Sequence, residues 1–183
     1  WPNIILNPTS GIVGSQVSVQ GNGYGADEIV DINFGTTPSV TEVGANNIGV
    51  FSTSFTINLQ PYGTTTVKGV GRSTSGVVIP EKPFDILSKV TGVTPAVGSV
   101  TTLITVCGNG FGAAEKIWVK FGETTSITST TTDIYGSFTA AFSMDTQYYG
   151  TKTITVNGVN SGRSDSGMAK LVARIYQVSP TAG

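Results

Sequence analysis

The chain has 183 residues and a formal net charge of −1; 11% of its residues are charged, histidine is absent and Cys107 is the single cysteine. That composition excludes His-based triads, Cys/His dyads, the common zinc sites and an internal disulfide framework. With no basic cluster and no apolar run near the roughly 18 residues that cross a bilayer, neither nucleic acid nor membrane insertion is expected.

In chain order, the first predicted elements are strands. QVSVQ (16–20) alternates, with Val17 and Val19 on one face, and EIVDINF (28–34) places Val30, Ile32 and Phe34 on one side at period two. FSTSFTINL (51–59) then directs Phe51, Phe55, Ile57 and Leu59 inward. Threonine, β-branched and polar, suits the solvent faces of such strands. In the second half the pattern returns, with Ile104 and Val106, then Ile117, Val119 and Phe121, then Phe138, Phe142 and Met144. Turn residues punctuate the chain every 8–12 residues or so, the spacing of a sandwich, and no segment sustains a helical period.

This return is a repeat at a shift of 87 residues. Pro8 falls on Pro95, Gly21-Asn22-Gly23 on Gly108-Asn109-Gly110, Phe34-Gly35 on Phe121-Gly122, and Tyr62-Gly63 on Tyr149-Gly150. YQVSPTAG (176–183) echoes IILNPTSG (4–11), so a third copy begins there. The expected division is a module over 1–88, a second over 89–175, and the start of a third repeat or an exchanged strand over 176–183. With about seven strands in each copy, the fold class is all-β: two tandem immunoglobulin-like β-sandwich modules plus the first strand of a third repeat.

GNGYGADE (21–28) satisfies the relaxed dinucleotide fingerprint and recurs as GNGFGAAE (108–115). A phosphate cradle needs a helix after the loop, and here an alternating strand follows instead. The loop is therefore expected to be a turn in which glycine supplies positive φ.

The stretches NPTSGIVGSQVSVQGNGYGADEIVDINFG, IGVFSTSF and PYGTTTVKGVG, with their second copies, resemble the IPT/TIG-like repeat. The resemblance implies an immunoglobulin-like fold. It also implies tandem arrays in secreted or surface proteins of prokaryotes, including S-layer proteins and adhesins. It brings no catalytic motif, and Cys107 departs from it.

Few residues offer chemistry. Asp27, Glu28 and Glu115 are the local calcium candidates, set against scattered solvated carboxylates. Trp118, outward on its strand, and Tyr148, Tyr149 and Tyr176 near module ends are interface candidates for a protein contact or sugar stacking. Cys107 is expected on an outer face or strand end. No cofactor and no enzymatic activity are expected. The function expected is a structural, self-assembling extracellular or cell-surface protein, such as an S-layer, sheath or filament subunit, forming a homo-polymer or lattice. The alternative is an adhesin or carbohydrate-binding spacer module meeting cell-surface glycans. Residues 176–183 would add as a strand to a neighbouring subunit or simply open the next repeat.

Overall fold

The computed structural model describes residues 1–74 and 79–174, and no helix occurs among them. The chain divides into two compact units, one of Trp1–Ser88 with Gly110–Gly112, the other of Lys89–Asn109 with the chain from Ala113 onward. The first contains β1 (Asn3–Asn7), β2 (Ser10–Gly11), β3 (Gln16–Asn22), β4 (Ile29–Phe34), β5 (Thr37–Gly44), β6 (Phe51–Thr56), β7 (Thr64–Gly71) and β8 (Glu81–Ile86). The second contains β9 (Lys89–Thr94), β10 (Val97–Gly98), β11 (Leu103–Asn109), β12 (Lys116–Phe121), β13 (Thr124–Thr131), β14 (Phe138–Ser143), β15 (Gly150–Gly158) and β16 (Ser164–Leu171).

Each unit is an immunoglobulin-like sandwich of a three-stranded and a five-stranded sheet. The orders are β1-β3-β6 with β2-β8-β7-β4-β5, and β9-β11-β14 with β10-β16-β15-β12-β13. Eight strands per unit are found where about seven were expected, because the opening strand divides in two. β1 pairs antiparallel with β3, whereas the two-residue β2 pairs parallel with β8 in the other sheet. Pro8 lies at the division and, having no N–H, cannot continue the ladder. Pro95 occupies the same place between β9 and β10.

Period-two patterning decides which side chains fill each core. β3 alternates strictly between exposed and buried residues, and Val17, Val19, Val30, Ile32 and Phe34 are fully buried. Phe34 stacks edge-on to Phe84 at 5.5 Å and lies 5.1 Å from Phe55. Ile104, Val106, Ile117, Val119 and Phe121 fill the second core, with Phe142 5.4 Å from Phe121. Each such buried side chain contributes about 1.5–3 kcal/mol.

One expected core residue is corrected. Leu59 is 40% exposed, and Gln60 is buried in its place. β6 ends at Thr56, and beyond it the backbone turns to bond Ser15, so strict alternation lapses. The Gln60 Nε2 donates to the Phe34 carbonyl at 2.9 Å and its Oε1 accepts the Thr36 N–H at 3.3 Å, closing the β4–β5 turn. Gln147 does the same in the second unit, donating to the Phe121 carbonyl at 2.8 Å.

Candidate functional site

The glycine loop has the form of a turn and leads into β4 rather than a helix. Gly23 has φ +77°, and a Cβ there would lie 2.4 Å from the Trp1 carbonyl oxygen. Gly21 lies beneath the Phe51 ring. Its N–H groups face the protein: that of Tyr24 donates to the Gly49 carbonyl and that of Gly25 to Glu28.

Glu28 is the chemical centre of this loop, and it points inward, 3% exposed. Its carboxylate accepts the N–H groups of Gly25 at 2.7 Å, Ser73 at 2.5 Å and Thr74 at 2.6 Å, and the Thr74 hydroxyl at 3.1 Å. Burial alone would raise this carboxyl, but those donors together hold it below the ordinary carboxylate range. Glu115, 1% exposed, accepts the Asn160 N–H at 2.6 Å, the Ser161 N–H and the Ser161 hydroxyl at 2.9 Å. Both glutamates thus tie the loop before β4 or β12 to the loop after β7 or β15. Asp27 is exposed, and its φ is 57°. Among the described residues no three acidic, histidine or cysteine side chains converge as a metal site would require. Sequence reasoning missed this role. The signal available was that Glu28 and Glu115 coincide in the repeat, while Asp27 is replaced by Ala114.

The aromatic candidates occupy separate places. Trp118, 38% exposed, stands on the outer face of the five-stranded sheet of the second unit, opposite Asn157 on β15 and Ser129 on β13. Lys116 and Lys120 lie one pleat to either side, and the Lys116 Nζ sits 4.2 Å from the indole centroid. A shallow depression on the other flank is lined by Trp118, Lys120, Thr125, Ser126 and Asn157. Tyr148 and Tyr149 are exposed beside a different depression, with Val100, Leu171 and Arg174. They immediately precede β15, whereas Trp118 pairs near its far end, so about 25 Å of strand separates them. Tyr176 and the whole of 176–183 lie outside the described residues. Cys107 is half-buried on β11, with its Sγ 3.6 Å from the Thr139 hydroxyl.

The two units treat the same face position in opposite ways. Where the second carries Trp118, the first carries Asp31, which receives Arg72 Nε and Nη2 at 3.0 Å each and the Ser39 hydroxyl at 3.1 Å. Arg72 also reaches Glu42 at 2.8 Å. The Arg72 hydrogen bonds and charge hold the Asp31 carboxyl below its usual range against the opposing effect of burial. At the positions of Asp31, Glu42 and Arg72 the second unit has Trp118, Ser129 and Val159, so the ion cluster is gone.

No protein-family model and no curated protein matches the chain. Among solved structures, it is similar to invasin, a bacterial integrin-binding protein (14% identity, TM-score 0.42), over 95% of this chain and 40% of that one. It is also similar to the Yersinia pseudotuberculosis adhesin InvE (13% identity, TM-score 0.41), over 94% of this chain and 59% of that one. A biofilm-associated protein BSP domain is similar at 17% identity and TM-score 0.30, over 92% of this chain and 29% of that one. The chain thus spans less than two thirds of each of these structures. Function does not travel with likeness at this level.

Proposed function

We propose that this chain is a non-enzymatic section of an extracellular or cell-surface protein, in which immunoglobulin-like repeats of the IPT/TIG-like kind space out and present a binding surface. Modules over 1–88 and 89–175, with a third repeat opening at 176, are part of this reading. The observation that carries it is the divergence of one face between two otherwise equivalent sandwiches. The inward glutamates, and the glutamines Gln60 and Gln147, repeat in both units, where they hold loops together. The face around Trp118 does not repeat: an aromatic ring beside two lysines stands where the first unit has the Asp31–Arg72–Glu42 ion cluster. Tyr148 and Tyr149, also exposed, belong to the same class of candidate contact residues.

The test is retention of the full chain on a panel of immobilised glycans and extracellular-matrix proteins, with product release assayed in parallel. Retention on one class without turnover supports the reading. Turnover of any panel member contradicts it.

A second reading, self-assembly into a lattice, sheath or filament, is favoured by one observation. The outer sheet face of the first unit carries Asp31, Glu42, Glu81 and Asp85 with Lys68 and Arg72, whereas that of the second carries Lys116, Lys120 and Lys170. Opposite faces on successive copies would attract. Ordered sheets, tubes or fibres in electron micrographs, with no retention on the panel, would establish that reading in place of the first.

A further inference from the structure

We infer that the Trp118 face binds an anionic polysaccharide, with one sugar ring against the indole and its carboxylate or sulfate on Lys120 and Asn157. This rests on the binding-surface reading above and names its ligand class.

Three observations converge. The first is charge. Lys116, Lys120 and Lys170 occupy outward positions, and no Asp or Glu does so in β12, β13, β15 or β16. Asp165, the one acid in these strands, shares the register of inward-facing Val156. It accepts the Val90 N–H at 2.6 Å and lies 3.5 Å from the Lys89 Nζ. The lysines therefore face solvent without an acid of their own sheet, in contrast to the paired Arg72 and Lys68 of the first unit.

The second is an unused donor. The Asn157 Nδ2 is screened from water and has no hydrogen-bond partner among the described residues. It belongs to the side chain that lines the depression between Trp118 and Lys120. A buried donor without an acceptor is costly, so a rotation of this side chain that turns the amide to a ligand oxygen in the depression would be favoured. An ammonium and an amide donor on one side of the depression define an acceptor-rich, negatively charged group.

The third is shape and lining. The depression is shallow, set in the face of central strand β12, whose two edges are already paired with β13 and β15. A peptide adding as a strand needs a free sheet edge, and one docking by side chains needs apolar pockets. Here the apolar lining is shallow and centred on one indole ring, with hydroxyls around it: Thr125 and Ser126 in the depression, Ser129 beside the ring, and Thr153 and Thr155 along β15. An indole takes the apolar face of a sugar while hydroxyl and amide groups take its rim. Lys116 rests on the indole in the free protein. An anionic ligand offers that ammonium a stronger partner, drawing it from the ring as the sugar arrives.

The test is affinity electrophoresis of the full chain through gels containing polygalacturonate, dextran sulfate, neutral dextran or poly-L-glutamate, with sedimentation velocity on the same samples. Trp118→Ala, Lys120→Gln and an Asp31→Asn control on the first unit are run beside the wild type. The expected result is retardation by polygalacturonate or dextran sulfate, with neither neutral dextran nor poly-L-glutamate doing so comparably. Which of the first two retards more identifies the carboxylate or sulfate form. Trp118→Ala and Lys120→Gln should each weaken binding about tenfold, and Asp31→Asn should not. Lys120→Gln changes an exposed side chain and keeps the test decisive if Trp118→Ala unfolds.

Absence of retardation in both polyanion gels overturns the inference. So does equal retardation by poly-L-glutamate, which shows charge alone or an acidic peptide, or equal retardation by neutral dextran. Self-association lost in Trp118→Ala would assign the face to a second copy and overturn it as well. Retention on another class in the wider panel, unaffected by Trp118→Ala, would leave the binding-surface reading standing while this inference fails.

Discussion

The Glu28 carboxylate accepts the backbone N–H of Thr74 at 2.6 Å across 46 residues of sequence, and Glu115 accepts that of Ser161 across the same interval. Each glutamate closes one end of its sandwich by drawing the N–H groups of a part-buried loop onto a buried carboxylate. Glu28→Ala should therefore cost about 2–4 kcal/mol, since several hydrogen bonds to a charged acceptor are lost at once. Urea unfolding of wild type and variant would measure this. A loss within about 0.5 kcal/mol would contradict the assigned role, as would metal-dependent stability of the wild type lost in Glu28→Ala.

Acid should act through the same residue. The Glu28 carboxyl is held below its ordinary value of 4.5. Its contribution is thus complete above about pH 4.5 and declines as the pH falls from there through the folded-state value. The gap in stability between wild type and Glu28→Gln should narrow below that pH. A gap independent of pH would show that the charge does not matter.

Alkali should act through Tyr24. Burial, with a smaller effect from the Glu28 charge, pushes its hydroxyl from 10.0 up to about 12. The neutral phenol is the form the fold prefers, so its contribution holds below pH 10 and is lost as the pH rises towards 12. Tyr24→Phe should remove this part of the alkaline loss. It should cost about 1 kcal/mol at neutral pH through the missing bond to the Gly69 carbonyl. Phe111 already stands at the equivalent position, buried. Thermal melts of the two proteins between pH 8 and 12 make the comparison.

Two glycines with positive φ should respond differently to alanine. At Gly49 (φ +72°) a Cβ would lie 2.1 Å from the Tyr24 carbonyl oxygen, whereas at Gly14 (φ +90°) nothing lies within 4 Å. Gly14→Ala should cost about 1 kcal/mol of backbone strain alone. Gly49→Ala adds a clash with a fixed main chain and should cost at least about 2 kcal/mol. Equal midpoints in denaturant would refute the distinction.

Much of the fold was legible because period two is a strong signal wherever one face is buried, as Val17, Val19, Ile104 and Val106 show. It failed at Leu59 because the chain had already left the strand, and hydrogen bonding rather than alternation chose Gln60 for the interior. The inward turn of Glu28 was hidden for a related reason. A carboxylate in a Gly-rich, polar loop reads as solvated, and beyond the local Gly25 N–H its donors come with the return of residues 73 and 74 to the same place. The outward position of Trp118 followed from alignment with Asp31. Its lysines and the unpaired Asn157 amide could be assembled only once β15 was placed beside β12.

The most direct test of a binding face on the second unit is an amide and side-chain NMR titration of the full chain with polygalacturonate oligomers. Shifts are expected at the Trp118 indole N–H, the Asn157 side-chain amide and the backbone of residues 116–120, with the Glu28 loop unmoved. Shifts centred on residues 21–28 and 73–74, or none at saturating ligand, would contradict that binding face.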